Sequence, residues 1–435
     1  MNHYIENVTA SLENIISELS DNPSLFLRNP SADFSRNRKI NFKTFIGITM
    51  NSGGCTMSKE LLDYFDFDVN TPTVSAYTQQ RAKVLPDAFE YLFHEFTLAN
   101  SSAANLYDGY QLLACDGSNL SIASDLKDQE TLWKSNRFDK STNHLHLNVL
   151  YDVLNRVFID ALVQTASEYH EYRACIRMME RTALDKVILI ADRGYENYNI
   201  MAHAMKKGWD FLIRVKDVHS NGIASGLNLP DTDTFDTNVK LTLTRSQTKA
   251  KKTAGYKFMP SVQMFDYLPY RSKDEYSISF RIVRLKISEN SYETIVTNLE
   301  KTRFPSEKLK ELYRLRWGIE TSFRELKYAI GLTNFHARKV DYIKQEIFAR
   351  LTLYNYCELI TTFIIRQKNI KNAKNQVNFT AAIFICREYL RKKRNLSSPD
   401  VIKLIERNVL PVRPGRKDPR KVKPRAAVSF LYRVA

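Results

Sequence analysis

The sequence contains little cysteine and no long apolar run. Its five cysteines are widely scattered, which argues against both a zinc-binding knuckle and a disulfide framework. No uncharged apolar stretch is long enough to span a membrane, and residues 1–22 lack the apolar centre of a signal peptide. Internal repeats and long low-complexity segments are also absent. We therefore expect a soluble, cytoplasmic protein.

Positive charge is abundant. Lysine and arginine number 64 against 48 acidic residues, so the formal net charge is +16. Such an excess favours a polyanionic partner, and nucleic acid is the commonest one. The chain is also longer than one core of ordinary size, so we expect about two to four domains, or one core with large insertions.

The first part of the chain, residues 1–106, has apolar residues at helical spacing and is predicted to be helical. Residues 58–64 and 74–84 predict a helix-turn-helix, with Ser58 and Thr71-Pro72 as the caps. The polar residues of the second helix suit contacts with phosphates and base edges; they are Ser75, Tyr77, Thr78, Gln79, Gln80, Arg81 and Lys83. The alternative is a packing helix with a solvated polar face.

The hydrophobic period changes near residue 107. Buried strands are predicted over residues 110–116, 144–154, 157–165, 186–191 and 210–216, and helices over 171–181 and 199–207. This order predicts a mixed α/β sheet. Residues 217–299 hold three further alternating runs and predict an inserted β-rich subdomain. His144 and His146 share one strand face, but the sequence offers no third metal ligand near them.

Residues 311–331 are predicted to form one long helix. One face carries Tyr313, Arg316, Glu320 and Lys327, with Trp317 at its edge. A neighbouring apolar stripe would hold Glu320 at the border of the core; it consists of Leu312, Leu315, Ile319, Phe323, Leu326 and Ile330. Taken alone, this pattern is more typical of an ordinary amphipathic helix with a solvated charged face.

Three carboxylates are candidate metal ligands. Asp116 and Asp192 each follow a predicted buried strand, where side chains of an α/β sheet converge on a crevice, and Glu320 completes the set. Mg²⁺ prefers oxygen ligands, and two such ions about 3.5–4 Å apart can bracket a phosphodiester during hydrolysis or transesterification. For each aspartate alone, a turn or helix cap is the alternative interpretation.

The contexts of these residues resemble a known family. The segment DGS begins at Asp116, DRGY begins at Asp192, and Tyr313, Arg316, Glu320 and Lys327 have the Y-R-E-K spacing. Together they resemble bacterial insertion-sequence transposases of the DDE class, in the family named after insertion sequence four. The similarity runs from about residue 110 to residue 338.

This resemblance implies a ribonuclease-H-like catalytic core in which Asp116, Asp192 and Glu320 bind two Mg²⁺ ions, with Mn²⁺ as a substitute. It also implies DNA contacts at the cleaved element end from further side chains, namely Tyr313, Arg316, Trp317, Lys327 and Arg193. The implied partners are double-stranded DNA, as terminal inverted repeats and as target, and a second copy of the chain in a synaptic homodimer. Some relatives excise their element through a DNA hairpin.

We therefore expect a DNA transposase associated with the bacterial nucleoid. Two alternatives are a nuclease of the same fold without strand transfer and a domesticated DNA-binding regulator without catalysis. The expected organisation comprises a helical DNA-binding region (1–106), a first core part (107–216), an inserted β subdomain (217–299), a second core part with the Glu helix (300–365), and a C-terminal helical region with a basic arm (366–435).

Overall fold

The computed structural model describes residues 2–101, 105–134, 141–289, 291–368, 375–391 and 399–411. At its centre lies a ten-stranded mixed sheet. Its strands are β1 (Gln111–Ser121), β2 (Leu132–Trp133), β3 (Thr142–Asp152), β4 (Val157–Thr165), β5 (Val187–Ala191), β6 (Asp210–Val215), β7 (Phe235–Thr244), β8 (Tyr256–Phe258), β9 (Glu275–Ser288) and β10 (Ser291–Thr297). The predicted mixed α/β class is confirmed.

Helices cover the sheet and form both ends of the described chain. The first group is α1 (Asn2–Asp21), α2 (Phe42–Asn51), α3 (Met57–Tyr64), α4 (Val74–Arg81) and α5 (Asp87–Ala99). Within the sheet region lie α6 (Glu171–Arg181), α7 (Tyr198–Lys207) and α8 (Gln247–Lys252). The last group is α9 (Ser306–Leu315), α10 (Trp317–Arg324), α11 (Val340–Lys368), α12 (Phe379–Arg391) and α13 (Val401–Arg407), with a small β11 (Asn375–Val377) and β12 (Val409–Pro411) ribbon.

Side chains alternate between the two faces of the central strands, so the sheet has a hydrophobic core on each face. Leu113 of β1 packs in one cluster with α6 and α7, whereas the next residue, Ala114, packs in another with α5, α10 and α11. Successive strand residues point to opposite faces, so a strand covered on both sides is apolar throughout, as the sequence VILIA of β5 is. Among the described residues, no helix has the length and apolar character needed to cross a bilayer.

The end of β1 differs from the prediction. A turn was expected at Gly117-Ser118, but β1 continues to Ser121 because β3 pairs with it in antiparallel register through this region. The parallel pairing of β1 with β5 does stop early, at Cys115 opposite Ala191. Asp116 therefore lies within a strand, one residue beyond the parallel ladder, and not at a strand end.

The strands predicted as an inserted subdomain extend the central sheet. β10 pairs antiparallel with β6, β9 pairs with β10, and β7 pairs with β9. The inner half of β10 is buried, since it lies between two neighbouring strands. Residues 217–299 are thus hydrogen-bonded to the core along a whole strand edge.

The helix predicted over residues 311–331 also differs from the prediction, because it is divided into α9, α10 and a π-helical turn. It begins earlier, at Ser306, directly after Pro305, which lacks the N–H needed inside a helix. Arg316 separates α9 from α10, and residues Glu325–Ala329 form one π-helical turn in which Ile330 N–H donates to the Glu325 carbonyl. π turns are rare and occur often at functional sites.

The two short N-terminal helices exist, but part of the predicted DNA-contacting face is buried. Their caps are Thr56 and Thr73, not the predicted residues. Tyr77, Gln80 and Arg81 pack inward, whereas Ser75, Thr78 and Gln79 are exposed and Lys83 is partly so. The predicted basic arm, from residue 412 onward, lies outside the described residues.

Candidate catalytic site

Asp116 occupies a confined and electrostatically crowded position in β1. Its Oδ1 accepts a hydrogen bond of 2.8 Å from the backbone N–H of Gly117. Burial raises the pKa of Asp116 to about 6, and the negative charges of Asp192 and Glu320 act in the same direction, while Gly117 and Arg316 oppose them. Asp192 and Glu320 are therefore both close enough to Asp116 for their charges to act on it.

Asp192 directly follows β5, as predicted. Its Oδ1 accepts from Gly194 N–H at 2.7 Å and caps a short 3₁₀ turn, Arg193–Tyr195. Tyr195 is buried beneath the turn, whereas Arg193 is exposed. The capping interpretation considered from the sequence is therefore correct, and it is compatible with a ligand role because the carboxylate remains partly exposed.

Glu320 is held at the border of the core by its helix. The neighbouring Ile319 is fully buried and Phe323 nearly so, whereas the Glu320 side chain is 44% exposed. Five members of the predicted apolar stripe are buried; Leu315 is the exception, at 37% exposed. The stripe thus fixes α10 against the sheet and leaves the Glu320 carboxylate facing the crevice.

Arg316 lies over two of the carboxylates. Its Nη2 donates to Glu320 Oε1 at 2.9 Å, and its Nη1 lies 3.9 Å from Asp116 Oδ2. The guanidinium carbon is 5.7 Å from the ring centre of Tyr313 and 5.3 Å from that of Trp317. Tyr313 is buried, whereas Trp317 is 57% exposed and open to a ligand.

Lys327 ties the π turn to β1. Its Nζ donates to Ser118 Oγ at 2.6 Å and to the carbonyl of Asn119 at 3.2 Å. Because Ser118 is two residues from Asp116, this contact fixes the Glu320 helix relative to the first aspartate. The ammonium group therefore sits beside the crevice, at a place where a DNA phosphate could meet it.

The donor set suits a hard divalent cation, although the carboxylates are not gathered around one point. No three His, Cys, Asp or Glu side chains among the described residues are arranged to hold a metal ion. The chemistry nevertheless fits, because oxygen donors are what Mg²⁺ and Mn²⁺ take, and a cation would offset the burial and the neighbouring negative charges that raise the pKa of Asp116. Arg316 supplies part of that positive charge here.

Glu171 and His146 are neighbours of the site; Glu171 was not considered from the sequence, and His146 was considered only with His144. A Cβ at Gly117 would lie 2.3 Å from His146 Nε2 and 3.1 Å from Glu171 Oε1, and one at Gly194 would lie 4.0 Å from Glu171 Oε2. His146 is therefore an inward-packed partner of Glu171, at 3.3 Å, and not part of a histidine metal site. The signal in the sequence was a glycine within two residues of each aspartate, which marks close approach of other atoms.

The fold and the crevice define an α/β protein in which Asp116 lies within electrostatic reach of Asp192, which follows the neighbouring parallel strand, and of Glu320 on a helix. The family model described as "Transposase DDE domain" matches residues 107–356. The chain therefore belongs to the DDE transposase-domain family, which confirms the predicted resemblance at the level of the DDE class.

The chain was also compared with curated proteins and with solved structures. No curated protein matches the chain. Among solved structures, the chain is similar to the cryo-EM structure of the piggyBac transposase synaptic complex with hairpin DNA, with 10% sequence identity and a TM-score of 0.47. That alignment covers 93% of this chain and 84% of the other.

Proposed function

We propose that this chain is a cut-and-paste DNA transposase that cuts the ends of an insertion sequence and joins the freed 3′-hydroxyls to target DNA. The observation that carries the proposal is that the charges of Asp192 and Glu320 both act on Asp116, inside the region matched by the transposase family model. The proposal includes membership of the family named after insertion sequence four, with its Y-R-E-K signature and a ribonuclease-H-like core.

In this proposal the three carboxylates hold two Mg²⁺ ions, which Mn²⁺ can replace. Bound metal would supply a nucleophilic hydroxide or 3′-oxygen and stabilise the leaving oxygen. The chain itself would position the DNA: Lys327, beside β1, and Arg193, on the exposed 3₁₀ turn, offer cations to phosphates.

Trp317 is the proposed base-stacking residue at the element end. Its exposed ring lies next to the Arg316 guanidinium, so a displaced base could stack there while its phosphate meets a cation. Such stacking contributes about 1–3 kcal/mol per base. This arrangement would favour cleavage through a DNA hairpin, in which a strand end must be bent sharply.

Recognition of the ends and assembly require surfaces beyond the crevice. The exposed residues of α4, Ser75, Thr78 and Gln79, are the proposed contacts of the N-terminal region with the terminal inverted repeats. The net charge of +16 favours the long DNA contacts that paired ends and target require. We propose a homodimer as the synaptic unit, with one catalytic site for each end.

The test is cleavage of a labelled duplex that carries the terminal repeat flanking its gene, with Mg²⁺. We expect Asp192→Ala to abolish nicks, hairpins and joined products while leaving binding of the duplex nearly unchanged, because the substitution removes a metal ligand and no phosphate contact. Asp185→Ala is the matched control, since Asp185 is an exposed aspartate just before β5, at the other end of that strand. Mg²⁺-dependent cleavage retained by Asp192→Ala would contradict the site assignment.

The products separate the rival functions. Nicks without hairpins or joined strands would indicate a nuclease of the same fold. Binding of the duplex by the unaltered protein without any cleavage would indicate a DNA-binding regulator. Joined products that contain the labelled 3′ end would establish strand transfer.

A further inference from the structure

The position of Arg316 is unexpected for a residue proposed to contact DNA. Its side chain is only 6% exposed, far less than that of Glu320 at 44%. The guanidinium points inward, donates to Glu320 at 2.9 Å and faces Asp116 at 3.9 Å. Its Nε lacks a hydrogen-bond partner within the described part of the chain. Arg316 therefore contacts the proposed metal ligands themselves, with part of its hydrogen-bonding capacity unused.

A guanidinium in this place competes with a divalent cation. Nη2 uses an oxygen of Glu320 that a metal ion would take, and a guanidinium and a divalent ion repel each other strongly at such separations. The same contact places a positive charge beside two of the crevice carboxylates, Glu320 and Asp116.

We propose that Arg316 couples DNA binding to metal binding: in the DNA-free protein it occupies Glu320 and faces Asp116, and a DNA phosphate withdraws it so that both carboxylates can bind metal. This inference rests on the proposed function, because it takes the metal site as given. A phosphate can compete for the guanidinium because it accepts two parallel hydrogen bonds, including one from the unused Nε.

The neighbouring rings give the guanidinium a route toward the DNA. It already lies 5.3 Å from the ring of Trp317, which is exposed, and 5.7 Å from the ring of Tyr313, which is buried. Movement from the carboxylates toward the exposed ring would keep a cation–π contact throughout. Lys327, in contrast, is anchored to β1 and can remain in place.

The consequence is a positive thermodynamic coupling. DNA should raise the affinity for metal, and metal should raise the affinity for DNA by the same factor, because coupling between two binding equilibria is reciprocal. A plain structural ion pair makes a different prediction, since its loss would disturb α10 and weaken metal binding. The sign of the change in metal affinity therefore distinguishes the two roles.

The experiment measures Mn²⁺ binding to the full chain by the loss of the free-ion electron paramagnetic resonance signal, without DNA and with a pre-cleaved terminal-repeat duplex. We expect Arg316→Gln to bind Mn²⁺ more tightly than the unaltered protein without DNA, by roughly 5–150-fold. Arg316→Lys keeps a positive charge and should stay near the unaltered protein. Arg314→Gln is the matched control, because Arg314 is exposed in the last turn of α9, two residues before Arg316, and its loss changes the net charge equally.

The duplex arm compares the unaltered protein with Arg316→Gln. The unaltered protein should bind Mn²⁺ more tightly when the duplex is present, whereas Arg316→Gln should gain little from it. Equal or weaker Mn²⁺ binding by Arg316→Gln, or no effect of the duplex on the unaltered protein, would overturn the proposal.

Asp116→Asn separates this inference from the proposed function. If Asp116→Asn removes Mn²⁺ binding but Arg316→Gln does not strengthen it, the metal site stands and the coupling role of Arg316 is wrong. If Asp116→Asn leaves Mn²⁺ binding intact, the assignment of the metal site is wrong, and the proposed coupling, which depends on that site, is wrong as well.

Discussion

Replacing Asp116 by asparagine should make the metal-free protein more stable at neutral pH. Burial, with the charges of Asp192 and Glu320, raises the pKa of Asp116 from 3.8 to about 6 in the folded protein. Between these values the native state retains a proton that the unfolded chain has released, so the stability of the unaltered protein falls as pH rises through this window. The pKa difference corresponds to roughly 3 kcal/mol.

Asparagine has the same shape, carries no charge, and can still accept the hydrogen bond from Gly117. The variant should therefore gain on the order of 3 kcal/mol in free energy of unfolding at neutral pH, and almost nothing well below pH 3.8, where the aspartate is uncharged in both the folded and the unfolded chain. Urea unfolding followed by circular dichroism in EDTA measures both values. Asp185→Asn, at an exposed position, is the control and should change neither.

Saturating Mg²⁺ should reverse part of this difference. The ion stabilises the native state to which it binds, and the variant lacks one of the carboxylates that would bind the ion. A variant that is less stable than the unaltered protein at neutral pH in EDTA would refute the reasoning. So would a stability difference that does not depend on pH, since it would then arise from packing and not from the carboxylate charge.

Two further predictions concern buried contacts. Burial opposes ionisation of Glu346, but Arg81, at 2.7 Å, and its other cationic neighbours outweigh it and hold the pKa of this carboxyl below its usual range. Glu346→Gln should therefore lower the free energy of unfolding by about 3–5 kcal/mol, and an unchanged thermal midpoint would contradict this. Gly117→Ala should cost about 1–3 kcal/mol, because its Cβ would lie 2.3 Å from His146 Nε2. Adding His146→Ala should restore part of that loss, and failure to do so would point to another cause.

Local patterns predicted several elements well. β4 (Val157–Thr165) and α6 (Glu171–Arg181) have the predicted bounds, and β5 differs by one residue. These segments have a clear period of two or of 3.6, and turn or capping signals beside them. Asp192 was correctly placed after its strand because the change from apolar residues to DRG is itself local.

Non-local pairing explains where the predictions failed. Gly117-Ser118 has the composition of a turn, yet β3 pairs with β1 across it. Arg81 is of a residue type that often contacts DNA, yet it is buried in the core, where it donates a hydrogen bond to Glu346 from a distant part of the chain. The spacing of residues around Gly117 or Arg81 cannot identify β3 or Glu346 as the partner, because each partner is distant in sequence and comes close only when the chain folds.

The sequence by itself determined the chemistry available to this protein: three carboxylates in DDE contexts, a helix with cations beside its glutamate, and an excess of positive charge. The tertiary structure decided how these groups are used. It placed Arg316 on Glu320, packed His146 and Glu171 behind the glycines, and joined the strands of residues 217–299 to the central sheet. The physical reason is that periodicity and capping act over a few residues, whereas ion pairs and strand edges are formed by segments that meet only in the folded chain.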